Sequence, residues 1–227
     1  MSALAFAGLD LDDYAASLNA QMQGRSAEDV LGIAIRDLFP GQIALVSSFG
    51  AESAVLLHLA AQTDRATPVL FLDTGKLFDQ TLKYRDTLIE RLGLSDVRVL
   101  APDQAKLAAQ DDGGTLWFKD AGACCNIRKV EPLQRALKPF AAWINGRKRY
   151  QSGTRRDIAL VEADGARLKF NPLAGWSAAE IGARLAAPPA RIRWRLVRMP
   201  ARAAGRAAKK PNAAFICRFR RGLSELY

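Results

Sequence analysis

The chain has 227 residues, 49% of them hydrophobic, which is enough for one sizeable core. No apolar run approaches the roughly 20 residues that span a bilayer, and the N-terminal stretch "MSALAFAGLDLDDY" turns acidic early with no basic leader region, so neither a membrane span nor a secretory signal is expected. The formal charge of +10 belongs to one segment: residues 1–187 carry 22 Lys+Arg against 22 Asp+Glu, whereas residues 188–227 carry 11 against a single acid, Glu225.

In chain order, residues 10–39 read as two helices, the second capped by Ser26. "QIALVSS" is a short apolar run and reads as a buried strand, followed by a helix over "ESAVLLHLAAQ". His58, in that helix, reads as packed or surface-lying, and as the single histidine it argues against a histidine-based zinc site. "PVLFLD" is a second strand, and "LFDQTLKYRDTLIERLG" an amphipathic helix ended by Gly93. "DVRVLAP" is a third strand and 103–111 a short helix. "CCNIRKVEPLQRALKP" reads as a helix with Pro132 near a start or a kink. "AAWING" is a fourth strand. "ALVEADGARLKFNPL" carries a hairpin signal at Asp164-Gly165, and "SAAEIGARLAA" opens with Ser177 and Glu180 in capping-box spacing.

Apolar strands alternating with helices predict an α/β fold, a mostly parallel sheet covered by helices on both faces. Ligands of such sheets bind at the carboxyl ends of the strands. Three segments are singled out by that rule. "SSFGAES", Ser47 to Ser53, brings small hydroxyl residues and Gly50 to a helix start, where backbone N–H groups and the helix dipole favour an anion. It is neither a Walker A loop nor a dinucleotide fingerprint, and alone it is equally an ordinary strand–helix turn. "LDTGKLF" places Asp73 and Thr74 at a strand end, where Asp73 is either an acceptor for a ribose or base, or a turn and cap residue. "INGRKRYQSGTRRD" gathers Arg147, Lys148, Arg149, Arg155 and Arg156, which suits a phosphate or sulfate; the alternative is a solvated basic loop.

Cys124 and Cys125 stand side by side, and Cys217 is the only other cysteine. Adjacent cysteines bridge only through a strained ring, so packing, metal binding or redox chemistry are the readings open to the pair. An odd cysteine count without an export signal points to the reducing cytoplasm.

Taken together, "SSFGAESAVLLHL", "FLDTGKLF", "CCNIRKVEPL", "WINGRKRYQSGTR" and "NPLAGWSAAEI" resemble, in order and spacing, the adenylyl-sulfate and phosphoadenylyl-sulfate reductases of sulfate assimilation. These belong to the adenine nucleotide alpha-hydrolase-like superfamily, and the resemblance covers roughly residues 25–187. It implies a modified PP-loop fold and reduction of an activated sulfate to sulfite. In that reaction a cysteine thiolate attacks the phosphosulfate sulfur and expels AMP or its 3′-phosphorylated form. Thioredoxin or glutaredoxin then releases sulfite from the S-sulfocysteine. The implied substrate-binding residues are Ser47, Ser48, Phe49, Gly50, Glu52 and Ser53 around the phosphosulfate or nearby nucleotide, and Asp73, Thr74 and Gly75 near the adenosine. Gly146 completes the substrate-binding set, with Lys129, Arg147 and Arg155 as candidate anion contacts.

In the family an adjacent cysteine pair here, with a later Cys-x-x-Cys, marks members that bind a [4Fe–4S] cluster and mostly use adenylyl sulfate. Cys124 and Cys125 are the implied cluster ligands, two of the four thiolates such a cluster normally takes. Adenylyl sulfate is therefore the expected substrate, with phosphoadenylyl sulfate as the alternative. An ATP-using PP-loop enzyme would more often show Ser-Gly-Gly-x-Asp-Ser, and "SFGAES" lacks the second glycine and the aspartate.

The resemblance stops near residue 187. The later Cys-x-x-Cys stretch and the family's Glu-Cys-Gly-(Ile/Leu)-His nucleophile motif have no counterpart, and Cys217 in "FICRFRR" matches neither, so no catalytic residue is assigned. Residues 188–227 are 21 parts in 40 Ala, Arg or Pro, as expected of a GC-rich gene read out of frame. With GC-rich codons chosen for "RIRWRLVRMPARAAGRA", a shifted frame reads His-Pro-Leu-Ala-Ala-Arg-Ala-Tyr-Ala-Ser-Thr-Gly-Cys-Gly-Pro-Cys. The chain is thus read as a nucleotide-phosphosulfate domain over 1–187 and a basic, out-of-frame tail over 188–227. The basic charge sits wholly in that tail and has few aromatics between its cations, so no nucleic-acid partner is expected.

Overall fold

A computed structural model of the chain describes Phe6 and residues 8–186. The basic tail, with Cys217, lies outside the described residues. Among the described residues, six strands form one sheet: β1 (Ile43–Ser47), β2 (Val69–Leu72), β3 (Val97–Leu100), β4 (Ala142–Ile144), β5 (Val161–Asp164) and β6 (Arg167–Phe170). Their order is β3-β2-β1-β4-β6-β5, parallel throughout except for the antiparallel β5–β6 pair. That pair is the hairpin foreseen at Asp164-Gly165, and Gly165 sits at φ +61°, a conformation glycine adopts without Cβ strain.

The helices are α1 (Leu11–Met22), α2 (Ala27–Gly32), α3 (Ser53–Thr63), α4 (Asp79–Leu92), α5 (Gln104–Asp111), α6 (Leu116–Lys119), α7 (Ala121–Cys125), α8 (Glu131–Leu137) and α9 (Ala178–Ala186). Strand alternation divides the core into two layers. Ile43 and Leu45 of β1, Val69 and Phe71 of β2, and Phe170 of β6 face α1 to α4 and α9. Ala44, Val46, Leu70, Leu72 and Trp143 face the other way, onto Leu133 and Leu137 of α8 and onto Phe140. Expectation and structure part at β3. Only β1, β2 and β4 are buried along their whole length, whereas β3 is an edge strand with Val99 exposed and Arg98 laid over the Phe140 ring at 5.5 Å. The opposite edge is covered: the Asn19 side-chain amide donates to the Val161 carbonyl at 2.7 Å and accepts from its N–H at 3.0 Å.

Ser26 accepts from Asp29 N–H at 3.0 Å, and Gly93 closes α4 in the left-handed region, both as the sequence reads. Ser177 and Glu180 form the reciprocal capping box at the start of α9. The helix over "CCNIRKVEPL" is continuous, but not by ordinary turns. A π-helical stretch, Asn126–Val130, joins α7 to α8 and places Pro132 at the start of α8, where its missing N–H is tolerated. His58 is buried on α3, the first of the two readings open in the sequence. Burial, with the charge of Arg184, holds its imidazole below the usual range against the opposing pull of Glu28. Among the described residues, no helix is long and apolar enough to cross a membrane.

Candidate functional site

The chain runs from β1 outward to β2 and β3, then returns to the other side of β1 as β4. The carboxyl ends of β1 and β4 are therefore the topological switch point, where loops diverge and leave a crevice. The loops after β1, β2 and β4 are the three segments that the sequence singled out.

In the loop after β1, Phe49 takes φ +49°, and it is the only non-glycine with positive φ among the described residues. Its ring is fully buried and packs edge-on to Phe71 of β2, centroids 5.4 Å apart at 88°. Phe49 N–H donates to Ser47 Oγ at 3.1 Å. Burial of the ring is what holds this costly backbone conformation. The turn sets Ser48 Oγ and Ser53 Oγ 3.3 Å apart, and a Cβ on Gly50 would lie 3.6 and 3.8 Å from the two hydroxyls. Both hydroxyls and the start of α3 thus surround a position without a side chain, an arrangement suited to an anion's oxygens.

In the loop after β2, Asp73 Oδ1 accepts the Gly75 N–H at 2.9 Å, so this oxygen serves a turn, as the plainer of the two sequence readings had it. Gly75 takes φ +68°. Behind it lies Arg128, from the π-helical stretch. Its Nη1 donates to the Thr74 carbonyl at 2.7 Å and its Nη2 to Asp111 Oδ2 at 2.5 Å. Asp111 Oδ1 accepts Leu116 N–H at 2.7 Å. Burial pushes the Asp111 carboxyl up, but the Arg128 and Leu116 hydrogen bonds outweigh it and hold its pKa below the usual value. Cys124 and Cys125 are buried one turn before Arg128 and Lys129. Burial raises the Cys124 thiol pKa, opposed by the nearby charge and hydrogen bond of Arg128 and by Lys129. Burial likewise lowers the Lys129 ammonium pKa, with Cys124 opposing.

In the loop after β4, three of the five expected cations, Arg147, Lys148 and Arg155, are buried, while Arg149 and Arg156 are exposed. Arg149 Nε donates to the Ile158 carbonyl at 3.0 Å. Arg147 N–H donates to Asn145 Oδ1 at 3.0 Å, its Nη1 is 3.6 Å from Glu162 Oε2, and its buried Nε has no hydrogen-bond partner. A Cβ on Gly146 would touch Leu56 Cδ2 at 3.5 Å, which keeps this loop close on α3. Lys148 reaches across the switch point: its Nζ donates to Glu52 Oε2 at 2.8 Å. The same oxygen accepts from Tyr150 Oη and Gln151 Nε2, each at 3.1 Å. Burial pushes the Glu52 carboxyl up, but these three donors more than compensate and hold its pKa below the usual range. Burial, the Glu52 charge and the same hydrogen bond push the Tyr150 phenol up to about 12.

The structure therefore brings Ser47, Ser48, Phe49, Gly50, Glu52 and Ser53 face to face with the Gly146 to Arg155 loop. It ties Thr74 and Gly75 to the cysteine-bearing helix through Arg128. Glu52 acts within this group as an anchor for donors of the opposite loop. Arg128, Asp111 and Gln151 were not among the residues singled out for substrate, and Lys148 was singled out only as one of five loop cations. Arg128 was visible as a cation within "CCNIRKVEPL", whereas nothing local in "AAQDDGG" distinguishes Asp111 from Asp112. For a metal cluster, the described residues supply Cys124 and Cys125 only. No group of three His, Cys, Asp or Glu side chains able to hold a metal exists among the described residues, so these residues alone do not complete a four-thiolate site.

Known proteins carry the same pattern. The model of the phosphoadenosine phosphosulfate reductase domain matches residues 42–187. A Mesorhizobium japonicum protein named adenosine 5′-phosphosulfate reductase is 48% identical over 175 residues, 75% of this chain and 69% of that protein. A Xanthomonas oryzae pv. oryzae protein named phosphoadenosine 5′-phosphosulfate reductase is 40% identical over 172 residues, 74% of this chain and 70% of that one. The crystal structure of a phosphoadenylyl-sulfate reductase from Candida auris, a phosphate complex, superposes with a TM-score of 0.65 at 24% identity, covering 77% of this chain and 85% of that one.

Proposed function

The chain belongs to the phosphoadenosine phosphosulfate reductase domain family, and on that premise we propose that its described body is the substrate-binding domain of an adenylyl-sulfate reductase. The reaction is reduction of adenylyl sulfate to sulfite and AMP in sulfate assimilation. A thiolate attacks the sulfur, the S–O bond to AMP breaks, and an S-sulfocysteine forms. One thiolate of a dithiol reductant of the thioredoxin or glutaredoxin class then attacks the cysteine sulfur and expels sulfite, leaving a mixed disulfide; the reductant's second thiol breaks it, so the reductant ends as its disulfide and the enzyme thiolate is restored. The setting is the reducing cytoplasm.

One observation carries the reading. At the switch point, two loops with anion-binding chemistry face each other, and the third is tied by Arg128 to a helix bearing two buried cysteines. Arg147 and Arg155 supply buried cations on the loop whose Lys148, Tyr150 and Gln151 hold Glu52 of the serine turn. Such fixed cations stabilise a phosphosulfate and its leaving group without reorganising. Lys129 is the third cation of the proposed site, on the cysteine side. The choice of adenylyl sulfate over its 3′-phosphorylated form is supported by the adjacent cysteine pair and by 48% identity to a protein named for the former, against 40% to one named for the latter.

A [4Fe–4S] cluster remains part of the proposal as a resident group toward which this chain contributes Cys124 and Cys125. The described donor set stops at those two, and no step above runs through the cluster. The proposal also holds that residues from about 186–190 onward are read out of frame. The chain as it stands then binds the nucleotide without turnover, and a one-base correction there restores the missing thiols. The test expresses both forms and measures iron content and sulfite release from adenylyl sulfate with thioredoxin. Iron and sulfite in the corrected form alone are expected. Turnover by the chain as it stands would overturn the frame argument, turnover only of the 3′-phosphorylated substrate would overturn the choice of substrate, and none from either form would overturn the reductase reading.

A further inference from the structure

The peptide between Thr74 and Gly75 is fixed at both ends. Its carbonyl accepts from Arg128 Nη1 at 2.7 Å, and its N–H donates to Asp73 Oδ1 at 2.9 Å. Gly75, at φ +68°, has the backbone freedom to let this peptide turn over, and a turned peptide would break both bonds together. One residue on, Thr74 Oγ1 accepts the Lys76 N–H at 3.3 Å and Lys76 Nζ donates to the Gly114 carbonyl at 3.2 Å, so the loop after β2 is pinned a second time.

Arg128 is itself braced. Its Nη2 donates to Asp111 Oδ2, and Asp111 Oδ1 accepts from Leu116 N–H. Thr74, Asp111 and Arg128 are all buried, so water does not compete for these bonds. Arg128 lies in the π-helical stretch, a distortion found frequently at functional sites. The contacts thus run from Asp111 through Arg128 and the Thr74–Gly75 peptide to Asp73. One oxygen of that carboxylate is spent on the turn. The other, Oδ2, accepts no hydrogen bond among the described residues and stands at the carboxyl end of β2, the end at which parallel sheets bind ligands.

We infer that Arg128, braced by Asp111, is a positioning residue for the nucleoside half of the substrate: it locks the Thr74–Gly75 peptide, and that peptide orients the Asp73 carboxylate to accept from a ribose hydroxyl. This rests on the reading of the crevice as a nucleotide site. Arg128 touches no substrate; the peptide carries its effect to Asp73. Its charge is met by Asp111, so its effect falls on the nucleoside and not on the phosphosulfate.

The test is calorimetric titration of the full chain with adenosine 5′-phosphosulfate and with pyrophosphate, which lacks the nucleoside. The variants are D111L/R128M, D73A and the triple variant D73A/D111L/R128M, with melting temperatures measured alongside. D111L/R128M removes both buried charges together and so keeps the fold. It is expected to bind adenosine 5′-phosphosulfate about tenfold more weakly, the scale of one charged hydrogen bond, and pyrophosphate as wild type does. The triple variant should bind adenosine 5′-phosphosulfate no more weakly than D73A alone, because Arg128 acts through Asp73. Wild-type affinity in a folded D111L/R128M, an equal loss for pyrophosphate, or losses that multiply in the triple variant would overturn the inference and leave the functional reading standing. Wild type binding neither ligand would overturn both. If D111L/R128M melts too low to titrate, R128K, which keeps the charge and loses the fork, takes its place in the same cycle with the same expected outcomes.

Discussion

Arg128 and Asp111 form a charge pair, 2.5 Å between Nη2 and Oδ2, whose side chains are 6% and 0% exposed. The pair sits between the cysteine helix and the end of α5, and the other arm of Arg128 holds the Thr74 carbonyl. Removing one partner strands a charge in a dry place, whereas replacing both with apolar groups removes the problem. D111A is therefore expected to lower stability by about 3–5 kcal/mol. D111L combined with R128M should recover most of that loss. Urea unfolding of the single and double variants checks this, and equal losses in the two would refute it.

The same pair sets an acid dependence. Asp111 has a folded pKa below its ordinary value, so it binds fewer protons folded than unfolded near that value. Its contribution is fully present above the unfolded carboxylate pKa, about 3.9, and is lost as pH falls through the lower folded value. The stability gap between wild type and D111N should be constant from neutral pH down to about 4, then shrink below it. A gap that widened on acidification would contradict the assigned sign.

Phe49 joins strain to packing. Its ring is fully buried against Phe71, and its φ of +49° disfavours any residue with a Cβ. F49A should cost about 3–5 kcal/mol for the lost ring. F49G loses the same ring but tolerates the backbone, so it should be more stable than F49A by up to about 1 kcal/mol. Thermal unfolding of both variants reads the order, and F49A as the more stable of the two would show that the turn is not strained.

Gly50 tests the anion loop itself. A Cβ there makes ordinary contacts with the Ser48 and Ser53 hydroxyls at 3.6 and 3.8 Å, and the backbone needs no positive φ. G50A should fold with a melting temperature near that of wild type. Its methyl group would stand between the hydroxyls where anion oxygens are placed, so nucleotide binding should weaken about tenfold or more, the scale of a lost polar contact. Unchanged affinity in a folded G50A would move the anion elsewhere.

The architecture was legible in the chain because its signals are local. Uninterrupted apolar runs gave β1, β2 and β4, the Asp164-Gly165 step gave the β5–β6 hairpin, and Ser177 with Glu180 gave the start of α9. The strand-end rule then pointed to the loops that meet at the switch point. What escaped is what depends on contacts distant in sequence. That Lys148, Tyr150 and Gln151 converge on Glu52 from nearly a hundred positions away leaves no trace in the loop's own residues. Asp111 gained its meaning only through Arg128. The partial exposure of β3 follows from its edge position, for which Arg98 is the one local sign, and α6, a single turn between Thr115 and Asp120, is too short for periodicity to show.

The most direct measurement of the central claim is titration of the full chain, as it stands, with adenosine 5′-phosphosulfate and with its 3′-phosphorylated form at one salt concentration. Both G50A and R155A would be included as site controls. Saturable binding of adenosine 5′-phosphosulfate, tighter than that of the 3′-phosphorylated form and weakened in both variants, is the predicted result. Binding of neither nucleotide, or binding that both variants leave unchanged, would contradict the assignment of this crevice.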